Sequence, residues 1–115
     1  MAINSNAKGK AGERELSRYL TERGYPARRG QQYQGSYDSP DVVCYRLKEL
    51  GLQIECKRVE SLNIHKAIEQ GRADCMHEGV NINAPEPVVM HRKNNKEWLA
   101  TMPLDKLLEL LSRVG

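Results

Sequence analysis

The stretch LQIECKRVE, Leu52 to Glu60, alternates apolar and polar residues. A period of two marks a β-strand, because successive side chains leave opposite faces. Leu52, Ile54 and Cys56 form one face; Gln53, Glu55 and Lys57 form the other. A carboxylate and an ammonium thus stand about 7 Å apart along one strand. Just upstream, PDVVCYRL (Pro40 to Leu47) is rich in β-branched and aromatic residues, and KELG supplies a turn. The two segments predict an antiparallel hairpin. With its turn centred near Lys48, Asp41 falls opposite Glu55, where Cβ atoms are about 4.5–5.5 Å apart.

Two carboxylates side by side repel each other, and one proton affinity rises unless a cation lies between them. An all-oxygen donor set suits Mg²⁺, which keeps several waters and takes one or two carboxylates. Lys57 shares this face and is placed to meet a carboxylate, a phosphate or a water. The plain alternative is a solvent-facing strand of alternating charge.

Either side of this hairpin the chain alternates helix and strand signals. Ala11 to Arg23 reads as a helix carrying Leu16, Tyr19 and Leu20 on one face, with Gly24 as its C-terminal stop. Glu13 falls on the same side as Leu16 and Leu20. A carboxylate on an apolar face is costly unless paired or bound to metal, although a first-turn position near the helix dipole also explains it. YPARR (25–29) reads as an edge strand, and GQQYQGSYDS (30–39) as a polar loop. Ile64, Ala67, Ile68, Gly71 and Cys75 predict a second helix, with Asn63 as N-cap and Gly79 as its end. PVVMHR, KNNK and EWLATM read as a hairpin. PLDKLLELLSRV reads as an amphipathic helix whose stripe of Leu104, Leu107, Leu108 and Leu111 is expected to bury in the core, with a dimer interface as the alternative. The order is α-β-β-β-α-β-β-α: an α/β fold with a mixed central sheet flanked by helices, spanning residues 1–115 as one domain. Gln70 reads as a solvated helix residue.

Composition narrows the function classes. No apolar run approaches the roughly 18 residues that span a bilayer, and the N-terminal segment lacks the apolar core of a secretory signal, so a cytoplasmic location with no membrane partner is expected. The net charge is +3, but Lys8, Lys10, Arg14, Arg18, Arg23, Arg28 and Arg29 crowd the first thirty residues against only Glu13, Glu15 and Glu22. Such a local basic field suits a polyanion. Cys44, Cys56 and Cys75 show no metal-binding spacing and read as packed thiols. No Gly-rich phosphate loop or nucleophile motif points to a small-molecule enzyme.

Taken together, Ser39-Pro40-Asp41 followed by Glu55-Cys56-Lys57 resembles the PD-(D/E)xK nuclease superfamily. Gly12-Glu13-Arg14-Glu15-Leu16, the pair Arg28-Arg29 and the Gly-Ser loop before Asp41 narrow the resemblance to archaeal-type and small phage-encoded Holliday junction resolvases. It runs from about Lys8 to Glu60. The resemblance implies a restriction-endonuclease-like core and a homodimer that cuts four-way DNA junctions symmetrically. It implies Mg²⁺, with Mn²⁺ as a substitute, held by Asp41, Glu55 and the backbone carbonyl of Cys56, with Glu13 completing the set through a water. Lys57 would position the attacking water. Lys8, Lys10, Arg14, Arg28 or Arg29, and Arg58 would hold DNA, with Ser36 on the loop that enters it. Asp74, at the fourth position after Gln70, departs from the Gln-x-x-x-Tyr motif of another branch. Two alternatives stand beside this reading: another structure-specific or nicking nuclease of the superfamily, and a non-catalytic nucleic-acid-binding module.

Overall fold

The computed structural model describes residues 5–30, 41–75 and 84–114. The first helix, α1 (Ser5–Glu22), starts well before Ala11 and places Glu13 in its middle. The helix dipole at a first turn therefore no longer accounts for that carboxylate. Gly24 adopts φ +91, its N–H donates to Thr21 O at 3.1 Å, and Tyr25 N–H donates to Leu20 O at 2.9 Å. These two bonds are the Schellman closure that glycine at C′ permits.

Five strands follow the order β1 (Ala27–Arg29), β2 (Val42–Cys44), β3 (Leu52–Arg58), β4 (Glu86–Arg92) and β5 (Leu99–Thr101) across one sheet. β1, β2 and β3 are antiparallel neighbours, β3 and β4 are parallel, and β5 returns antiparallel to β4. The parallel step needs a crossover, and α3 (Ile64–Cys75) provides it. Asn63 caps this helix as the sequence predicts, its Oδ1 accepting from Lys66 N–H at 3.1 Å.

One expected strand is shorter than its composition implies. Tyr45–Glu49 forms a short helix, α2, rather than the second half of PDVVCYRL. Arg, Leu, Lys and Glu are all good helix formers, and Gly51 at φ +75 turns the chain into β3. The register survives this detour, because Val42 pairs with Ile54. Continuing it by one residue sets Asp41 beside Glu55.

Helices cover both faces of the sheet. On one side Leu16 of α1 packs with Val42, Cys44, Leu52, Ile54 and Val88. On the other, Ala67 and Gly71 of α3 are buried over Pro87, Val89 and Glu55. The face carrying Glu55 is therefore not a wet face. The last helix, α4 (Leu104–Val114), corrects another expectation. Leu104, Leu107, Leu108 and Leu111 stay exposed, and only Leu110 packs against the core. None of the described helices is long and apolar enough to cross a membrane.

Candidate active site

Asp41 and Glu55 meet because β2 and β3 pair in the register just described. The Cys56 N–H donates to Asp41 Oδ2 at 2.9 Å, which ties the start of β2 to the middle of β3. Glu55 is only 3% exposed. Burial raises the Asp41 proton affinity above the ordinary carboxylate range; the Cys56 hydrogen bond lowers it, the Glu13 charge raises it and the Lys57 charge lowers it. Glu55 is pushed up to about 8, by burial first, then by the Asp41 charge and by a hydrogen bond and charge from Asp74. A buried and a half-buried carboxylate that each resist ionisation want a proton or a cation between them.

Lys57 supplies part of that charge from the same strand. Its Nζ donates to Gln70 Oε1 of α3 at 3.2 Å, so Gln70, exposed as expected, also touches the site. Glu13 approaches from α1, on the other side of the sheet, and its charge acts on Asp41. Its direct partner, however, is Arg29, with Nε 3.0 Å from Oε1. That pairing follows from the sheet: Arg29 is opposite Val42 and shares the face on which α1 packs. Arg29 is thereby engaged, while Arg28 points the other way, exposed, with Nη1 donating to Arg29 O at 3.2 Å.

The remaining cations divide into exposed and tied-down groups. Lys10 and Arg14 are exposed on α1, and Lys8 lies near its start. Arg58 is different. It donates to Glu15 Oε2 at 3.0 Å and to Asn94 Oδ1 at 3.0 Å, and Glu15 is also bridged by Arg92. This network fastens α1 to β3 and the β4–β5 hairpin, so Arg58 acts as a structural tie in this arrangement. Ser36, Ser39 and Pro40 lie outside the described residues.

Cys56 and Cys75 are pushed up to about 12, chiefly by burial, so both thiols are neutral and poor nucleophiles. Among the described residues, no three His, Cys, Asp or Glu side chains converge as a metal cage. What is present is narrower: the buried Glu55 carboxylate beside the half-buried Asp41, with the Cys56 backbone bonded to Asp41. That all-oxygen set fits Mg²⁺, which completes its shell with water and substrate oxygens. The sequence reading named Asp74 only as a departure from a motif and gave it no place at the site. Its signal was there in principle, a polar residue four after Gln70 beside the small Gly71, but only the docking of α3 reveals it.

Comparison with protein families places the chain. The family of archaeal Holliday junction resolvases (Hjc) matches residues 4–111, nearly the whole length, so the chain belongs to that family, whose members are nucleases acting on Holliday junctions. No curated protein and no solved structure gave a significant match.

Proposed function

We propose that this member of the archaeal Holliday junction resolvase family is a Mg²⁺-dependent endonuclease that works as a homodimer on four-way DNA. The carrying observation is the pairing of half-buried Asp41 with buried Glu55, with Lys57 on the same face of β3. Asp41, Glu55 and the Cys56 carbonyl would hold the ion, with Glu13 reaching it through a water. Bound there, Mg²⁺ would screen the scissile phosphate and make a water more acidic. The chain's own residues do the rest. Lys57 offers N–H donors to orient the attacking water and to stabilise charge developing on the phosphoryl oxygens. Lys8, Lys10, Arg14 and Arg28 bring positive charge to the flanking phosphates, and Arg28 is the freer of the two adjacent arginines. Ser36 belongs to the segment leading into Asp41 and is assigned to the DNA strand. The exposed leucine stripe on α4 gives two copies a surface to share.

The test uses a four-way junction and a linear duplex of the same sequence, each with Mg²⁺. Paired nicks in the junction alone support the proposal; no cutting of either with Mg²⁺ or Mn²⁺ sinks it. Asp41→Asn and Glu55→Gln should each abolish cutting while junction binding persists. A variant that cuts at the parental rate would remove that residue from the site. Cutting of duplex, nicked or flap substrates at comparable rates would instead mark a less selective nuclease of the same chemistry.

A further inference from the structure

One turn of α3 touches both reactive groups of β3. Gln70 Oε1 accepts from Lys57 Nζ at 3.2 Å. Asp74 stands four residues later, on the same side of the helix. Between them lies Gly71. A Cβ added there would fall 3.0 Å from Glu55 Cγ and 2.6 Å from Pro87 Cβ. The helix backbone therefore rests directly on the stem of Glu55, and Gln70 and Asp74 flank that contact. Neither residue is needed to close the core: Gln70 is exposed and Asp74 half-buried.

We infer that Gln70 is a positioning residue for the cleavage reaction, holding the Lys57 ammonium. This rests on the assignment of Lys57 and Glu55 to the active site. A lysine on a strand has a long flexible stem, and beside a carboxylate pair its charge is readily drawn into an ion pair. A neutral amide oxygen holds one of its three N–H groups without cancelling the charge. The other two remain for a water and a phosphate oxygen.

Gln70→Ala should lower kcat for junction cleavage by about 10- to 100-fold, the usual cost of a misplaced catalytic group. KM and junction affinity should stay within about threefold, because substrate binding is not its role. In ¹⁵N-lysine-labelled protein without DNA, the Lys57 ammonium signal should be sharp in the parent and broadened by water exchange in the variant. Gln70→Glu should keep that signal yet remain slow, since a carboxylate cancels the charge.

Parental kcat or an unchanged Lys57 signal in Gln70→Ala overturns the role of Gln70. If Lys57→Ala cuts at the parental rate, the site assignment itself fails and this inference fails with it. Thermal unfolding of each variant separates these outcomes from misfolding.

Discussion

At the residue scale, Glu55 links the site to stability. Its carboxyl binds a proton up to about pH 8 in the fold, against 4.5 when free. Between those values the folded chain holds more protons than the unfolded one, so this contribution is complete below about pH 4.5 and is lost as pH rises through about 8. Asp41 shifts in the same direction. Thermal unfolding in EDTA should therefore show a Tm that falls from pH 5 to pH 9, and Glu55→Gln should flatten that slope. Mg²⁺ should raise the Tm more at pH 8.5 than at pH 6, since metal ligands must first release their protons. A slope identical in Glu55→Gln would show that another group carries it. The opposition of Asp41 and Glu55 was legible in the sequence because side-chain parity and turn position determine which residues face each other. Asp74 was not, since its contact depends on how α3 docks, and helix periodicity carries no information about docking.

At the element scale, glycines set how closely the helices approach the sheet. A Cβ at Gly12 would sit 2.6 Å from Arg58 Cβ, and one at Gly71 would meet Pro87 and Glu55, whereas Gly9 has nothing within 4 Å. Gly12→Ala and Gly71→Ala should each destabilise by about 1–3 kcal/mol, the usual cost of overpacking. Gly9→Ala, on the exposed side of α1, should stabilise by about 0.4–1 kcal/mol through the unfolded chain. Urea midpoints measure all three, and equal effects at Gly9 and Gly12 would deny the close contact. Gly71→Ala should also slow cleavage, because the strain falls on Glu55. Helix α2 shows where pattern reading stopped. Val42 to Cys44 is strongly β-forming, but Tyr45 to Glu49 carries helix formers with no period-two face to hold them in the sheet. The register survived because pairing at Val42 and Ile54, rather than loop shape, fixes it.

At the scale of the whole molecule, α4 presents more apolar surface than a free helix should. Leu108 is 53% exposed and Leu111 57%, with Leu104, Leu107 and Val114 also in solvent. The amphipathic stripe was plain in the sequence, yet its destination was not. Periodicity identifies an apolar face without naming what covers it. A second copy is the occupant that fits the proposed paired cuts, since a two-fold interface buries the same stripe from each subunit. The double variant Leu108→Glu, Leu111→Glu should therefore run as a monomer in light scattering, where the parent should run as a dimer. Because both side chains are already exposed in one copy, the variant's unfolding measured at high dilution should match the parent's. Its junction products should shift from paired cuts to single nicks, while Mg²⁺ binding at Asp41 and Glu55 stays intact. A dimeric variant would move the interface elsewhere. A monomeric parent that still made paired cuts would show that two sites need not be joined before they reach the junction.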